Sequence, residues 1–168
     1  MLRRHSERPV YVAVVGDGQC DAETAELAAA LGRALARGGA TVVCGGMGGV
    51  MEAACRGARE QGGLTVGILP TAERAAANPY VDVALPTALG HARNFLVARS
   101  ADVVVAVRGG YGTLSEIALA LKMGIPVVGL DTWRIEQPGR EGQPHFSRTA
   151  DPEEAARVAL KLVGRRPG

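Results

Sequence analysis

The chain is poor in the residues that mark several common protein classes. Aromatics make up only 4% of its 168 residues, while Gly (23 residues), Ala and Val are abundant. That balance suits close packing of helices on a sheet more than a β-sandwich built on large rings. Cysteine is scarce: Cys20, Cys44 and Cys55 do not pair evenly and show no metal-ligand spacing, so reduced thiols are expected and no metal or cofactor is implied. Net charge is only +2, too little to argue for nucleic acid as the main partner. The basic residues that stand out, Arg3, Arg4, Arg8, Arg165 and Arg166, read as solvated ends. No run approaches the roughly 18 apolar residues of a membrane span, and residues 1–9 contain no apolar signal region. A cytoplasmic protein is expected, and none of these features points to a membrane.

What the chain does have is 47% apolar content, enough for one domain with a full core. Strand-like and helix-like stretches alternate. Residues 10–15 predict a strand, and Asp21 is a candidate N-cap for a helix to Arg37 carrying Leu27, Leu31 and Leu35 at helical spacing. Residues 41–44 predict a second strand, 50–60 a helix, and 64–69 a third strand. A loop with a helical middle follows over 70–79, then a short strand over 81–84 and a helix within 86–100. Residues 101–107 are an apolar, β-branched run expected of a strand buried on both faces. A helix through Leu114, Ile117 and Leu121 ends at Gly124, and 127–130 is another strand. Residues 131–148 read as a polar surface excursion. Asp151 and Pro152 open a last helix with Glu153 and Glu154 in its first turn. The expected fold is α/β: a Rossmann-like open parallel sheet with helices on both faces. It is expected as one domain over 1–168, with 1–9 and 164–168 as flexible tails.

Three glycine-rich turns follow three of these strands, at 16–18, 45–49 and 109–112. In an open α/β sheet all three lie at the carboxyl edge, where ligands bind. Glycines there allow unusual backbone angles and let the first N–H groups of a helix face an anion, with the helix dipole behind them. A phosphate is the expected guest. The turn at 16–18 also reads simply as a tight link, since Gln19 and Cys20 break a GxGxxG fingerprint, and no GxxxxGK[ST] loop exists. The other two turns hold more glycine than a link requires. Glu116 lies one turn into the helix behind the last of them, where its carboxylate could face the ligand or merely complement the dipole.

The stretch Arg108-Gly109-Gly110-Tyr111-Gly112-Thr113-Leu114-Ser115-Glu116 resembles the PGGxGTxxE signature of the LONELY GUY family. These are phosphoribohydrolases, long taken for lysine decarboxylases, that release cytokinin bases from nucleoside 5′-monophosphates. Cys44-Gly45-Gly46-Met47-Gly48-Gly49-Val50-Met51 is similar to the family's GGGxxGLM turn, and His91-Ala92-Arg93-Asn94 falls where it carries MHxRK. The likeness runs from about Val10 to Val163. Arg108 stands in place of the signature's proline, and Gly90 and Asn94 in place of Met and Lys. In these details the chain resembles a sister group of nucleotide-binding proteins similar to molybdenum cofactor carriers.

The resemblance implies a phosphorylated nucleotide-like ligand and a homodimer or homotetramer. It gives Glu116 the catalytic carboxylate and Arg93 the phosphate or the departing base. Gly109, Gly110, Tyr111, Gly112 and Thr113 would hold the 5′-phosphate. Gly45, Gly46, Gly48 and Gly49 would let the chain approach ribose and base, and Gly16 and Asn94 are further phosphate- or nucleotide-binding candidates. N-glycosidic hydrolysis passes through an oxocarbenium-like ribose, which needs such a carboxylate, a clamped phosphate and help for the leaving base. The leading expectation is a phosphoribohydrolase; the alternative is a non-catalytic nucleotide or molybdenum cofactor carrier. A nucleic-acid-associated role is the third, by analogy with DNA-processing proteins of the same superfamily. Lysine decarboxylase is disfavoured, because Lys122 and Lys161, the only lysines, sit at exposed-looking helix positions without a Schiff-base setting.

Overall fold

The computed structural model describes residues 8–136, 139 and 145–163. Seven parallel strands run in the order β4-β3-β2-β1-β5-β6-β7. They are β1 (Tyr11–Val15), β2 (Thr41–Cys44), β3 (Thr65–Leu69), β4 (Val83–Pro86), β5 (Val103–Val107), β6 (Val127–Leu130) and β7 (Phe146–Thr149). Five α-helices accompany them: α1 (Ala22–Arg37), α2 (Val50–Glu60), α3 (Arg93–Arg99), α4 (Tyr111–Lys122) and, after β7, α5 (Pro152–Val163). This is the expected Rossmann-like α/β sheet. Strand order reverses between β1 and β5, whose following loops part company and leave a crevice at the carboxyl edge.

Alternation along the two central strands divides the core. Val12, Val14, Val103, Val105 and Val107 face α1, α2 and α5, where Leu31, Leu35, Ala54 and Ala159 are buried. Ala13, Val15, Val104 and Ala106 face α3 and α4, meeting Val97, Ile117 and Ala120. Because both faces are covered, β5 is wholly apolar and all five of its residues are buried. Capping chemistry starts the outer helices: Asp21 accepts from Thr24 N at 2.8 Å, and Asp151 Oδ1 accepts from Glu153 N at 3.0 Å. No helix among the described residues is long and apolar enough to cross a membrane.

Four expectations need correction. The short strand lies at Val83–Pro86, two residues later than expected. It is an edge strand with alternate residues half-exposed, so its apolar pattern is weak. The helix expected within 86–100 is α-helical only over Arg93–Arg99, after a single 3-10 turn at Gly90–Ala92. Thr87 and its neighbours instead bond back to β3 and the loop after it. The glycine turn after β5 is shorter than expected, because Tyr111, Gly112 and Thr113 already belong to α4. Finally, the excursion after β6 ends in a strand, Phe146–Thr149, paired in parallel with β6. Its sequence FSRT sits at the opposite edge, half-exposed, and carries little apolar signal. Residues 1–7 of the tail expected over 1–9, the tail expected over 164–168, and residues 137, 138 and 140–144 lie outside the described residues.

Helices α1 and α2 approach through glycine. A Cβ on Gly32 would lie 2.1 Å from Ala54 O, and one on Gly57 would lie 2.0 Å from Ala29 O. Such contacts cannot be relieved by turning a side chain. Replacing Gly57 by Ala is expected to lower stability by about 1–3 kcal/mol, the range for overpacking. The check is a lowered urea midpoint at unchanged slope, and an unchanged midpoint would mean that the two helices do not pack this closely.

Candidate functional site

A cavity of about 280 Å³ opens at the crevice between the loops after β1 and β5, extended by the turn after β2. Four elements supply its chemistry. Gly16 and Asp17 come from the β1 loop, Gly45 from the β2 turn, Arg93 and Asn94 from the start of α3, and Gly112, Thr113 and Glu116 from α4. Seven residues singled out in the sequence, Gly16, Gly45, Arg93, Asn94, Gly112, Thr113 and Glu116, therefore line one cavity.

Arg93 is only 9% exposed. Its guanidinium lies flat on the backbone of Gly45, where an added Cβ would meet Nη1 at 2.3 Å. Nη1 donates to Asn94 Oδ1 at 2.9 Å, while Nε is buried and has no partner. Burial pulls the Arg93 pKa down, and the charge of Glu116 opposes that pull. Thr113, 2% exposed, is also left with a buried Oγ1 lacking a partner. Orphaned polar groups of this kind are costly in a folded chain and are expected where a ligand completes them. Glu116 is 6% exposed. Burial pushes its pKa up to about 7, against the lowering effect of Arg93 and with a further push from Asp17.

Gly46, Gly48, Gly49, Gly109, Gly110 and Tyr111, also singled out in the sequence, are not among the residues lining this cavity. Gly49 turns the chain at φ +62°, and a Cβ there would meet Asp17 O at 2.3 Å. Gly46 packs on Leu69 and accepts through its carbonyl from Asn78 N at 2.8 Å, and Gly48 lies against Gly18 O. Gly109 gives way to the Thr113 side chain, since a Cβ would meet Oγ1 at 2.1 Å. Gly110 caps α4, and Tyr111 stands 83% exposed outside the cavity.

Three participants escaped the sequence reading. Asp17 Oδ1 accepts from Gly110 N at 3.1 Å, so the chain's own carboxylate sits at the N-terminus of α4 where a ligand anion was expected. The signal for it was an acid inside a glycine turn at the strand-order reversal. Trp133 Nε1 donates to the carbonyls of Gly109 and Gly110 at 3.1 and 3.2 Å, and its ring lies 5.7 Å from that of Tyr111. It falls in the stretch read as a surface excursion. Arg108, at φ +43°, could not be the signature's proline in this conformation. Its side chain instead bonds Thr24 Oγ1 at 2.8 Å and Asp131 Oδ2 at 3.0 Å, and pairs with Glu23. It ties the glycine turn to the start of α1 and the end of β6.

Residues 9–157 match the SLOG cluster4 family. The chain belongs to that family. The cytokinin riboside 5′-monophosphate phosphoribohydrolase of Mycobacterium tuberculosis is 36% identical over 125 residues, covering 67% of this chain and 65% of the relative. The chain thus spans about two thirds of that enzyme's length. The molybdenum cofactor binding protein of Rippkaea orientalis is 33% identical, with a TM-score of 0.83 over 94% of this chain and 99% of its own. The Moco carrier protein of Chlamydomonas reinhardtii is 35% identical, with a TM-score of 0.82 over 95% and 100%. This SLOG cluster4 chain is therefore similar both to a phosphoribohydrolase and to cofactor carriers. Among its described residues no group of three or more His, Cys, Asp or Glu is placed to hold a metal ion.

The raised pKa of Glu116 has a consequence for stability. The folded state holds its proton up to about pH 7, whereas the unfolded chain releases it near the ordinary value of 4.5. Folding stability from this group is therefore full below pH 4.5 and falls as pH rises to 7, by on the order of 3 kcal/mol. Glu116→Gln, which cannot ionise, is expected to be more stable than the wild type at pH 8.5, with the gap closing at pH 5. Denaturant midpoints at both pH values test this, and a gap independent of pH would remove the buried-carboxylate assignment.

Proposed function

We propose that this cavity binds a phosphorylated nucleotide-like molecule and hydrolyses the N-glycosidic bond of nucleoside 5′-monophosphates. The observation that carries this reading is the buried Glu116, poised to exchange a proton near neutral pH, in one cavity with the buried Arg93. In its ionised form Glu116 stabilises the oxocarbenium-like ribose or accepts a proton from the attacking water. Arg93, with a free Nε and a fixed plane, holds phosphate or assists the leaving base. The Thr113 hydroxyl and the first N–H groups of α4 take the phosphate, provided Asp17 yields its bond to Gly110 N. The products are free base and ribose 5-phosphate. No bound metal is required by this scheme.

A second reading has its own support: the structural likeness to molybdenum cofactor binding and carrier proteins extends over nearly the whole chain. Such a protein would use the same orphaned groups to hold a phosphate-bearing cofactor without turnover. The readings separate in one experiment. The protein is incubated with AMP and a panel of nucleoside monophosphates, and free base and ribose 5-phosphate are followed by chromatography. Release is expected, with Glu116→Gln lowering it about 10²–10⁴-fold, the usual worth of a positioned acid or base, and Arg93→Ala also strongly impaired. Absence of release, together with thermal protection by nucleotide or molybdenum cofactor that Arg93→Ala abolishes, would decide for carriage.

The helices α3 and α4 also support self-association. Phe95 is 47% exposed, and Leu114, Leu119 and Leu121 on α4 are only partly covered, leaving an apolar face on one side of the sheet. The protein is proposed to be a homodimer or homotetramer through this face. Light scattering should give two or four times the 17.4 kDa chain mass, and Phe95→Glu should lower it; a wild-type monomer would sink the proposal.

A further inference from the structure

We propose that Cys44, Cys55, Met47 and Met51 form a buried site for a soft monovalent cation, Cu(I). The inference is independent of which ligand occupies the main cavity. Cysteine spacing alone shows no metal motif, because half of the donors are thioethers: the pattern is C-x2-M-x3-M-x3-C. The tertiary structure collects them. Cys44 ends β2, and the glycine turn folds α2 back so that Cys55 Sγ lies 3.5 Å from Cys44 Sγ. Met51 is one helical turn before Cys55, on the same face of α2. Cys44, Met51 and Cys55 form one buried cluster against which Met47 packs from the turn. Both cysteines are 0% exposed.

The chemistry of the set is selective. It offers two thiols and two thioethers, with Tyr80 and Val81 closing the cluster. Thiolate and thioether donors favour Cu(I), whereas hard cations need oxygen donors. Binding displaces both thiol protons to solvent and forms two Cu–thiolate bonds, with the thioether sulfurs completing the shell and no change of oxidation state. The bis-thiolate complex then carries one negative charge. Two groups offset it: Gly46 N, which already donates to Cys44 Sγ at 3.3 Å, and the Arg93 guanidinium, which rests on the next residue, Gly45. A way in also exists. Met47 and Met51 line the main cavity and also belong to the cluster that holds both cysteines, so the two methionines join the cavity wall to the thiol pair. The turn that presents Met47 is held by Asn78, whose Nδ2 donates to Met47 O at 2.8 Å.

The test is an anaerobic competition of the fully reduced chain against the coloured Cu(I) chelator bicinchoninate. One equivalent of Cu(I) per chain should leave the chelator, and X-ray absorption of the loaded protein should show a sulfur-only shell. Cys44→Ser and Cys55→Ser should each weaken uptake at least about 100-fold, since each removes a ligand. Met47→Leu should weaken it about 10-fold, at the lower end of the 10–100-fold seen for groups that tune a metal site. Cys20→Ser should change nothing. Circular dichroism establishes that each variant is folded. Should a cysteine variant unfold, the wild-type ligand shell and the Met47→Leu affinity decide instead. A shell containing nitrogen or oxygen, uptake well below one equivalent, or uptake lost with Cys20 alone would overturn the proposal.

Discussion

Arg93 can be buried because Gly45 has no side chain, and much of the site follows from that contact. A guanidinium pressed onto a peptide backbone has little water, so its charge is felt strongly by what surrounds it. Glu116 is drawn into the same cavity and, itself buried, keeps its proton to near neutrality. Protein groups alone do not complete the site: Arg93 Nε stays unpaired, as does Thr113 Oγ1 on α4. A chain that tolerates such orphans in its interior stores recognition capacity there. The site is thus defined as much by missing partners as by present ones.

The same economy governs the N-terminus of α4. Its dipole favours an anion, and Asp17 provides one from the neighbouring loop across the strand-order reversal. Any anion entering here would compete with an internal carboxylate for Gly110 N. Arg108 and Trp133 hold the turn from outside, the first through Thr24 and Asp131, the second through the carbonyls of Gly109 and Gly110. A proline at position 108 would supply neither the positive φ nor these bonds. Its replacement here moves the rigidity of the turn from backbone chemistry into side-chain contacts.

Much of this was legible along the chain. The β-branched run before Arg108, the Asp21 cap and the glycine turns name strands, helices and their order, because these signals are local. The weak points were the edges. FSRT at β7 and VALP at β4 pair on one side only, so burial imposes no strong pattern on them. Residues 86–92 also look helical by composition, yet backbone bonds to β3 and the loop after it outweigh that preference.

Local patterning by itself determined the α/β alternation, the parallel sheet and the set of glycine turns from which a site could be built. The likeness of its motifs to the LONELY GUY family marked Arg93 and Glu116 as candidate site residues. Only the tertiary structure decided which glycines face a cavity and which simply pack. It alone decided that Asp17 would sit on Gly110, that Trp133 would brace the turn, and that four sulfur-bearing residues would meet. The reason is physical: turn and helix signals act over a few residues. Desolvation, charge coupling and donor clustering depend instead on distances between segments that approach each other only once the sheet has formed.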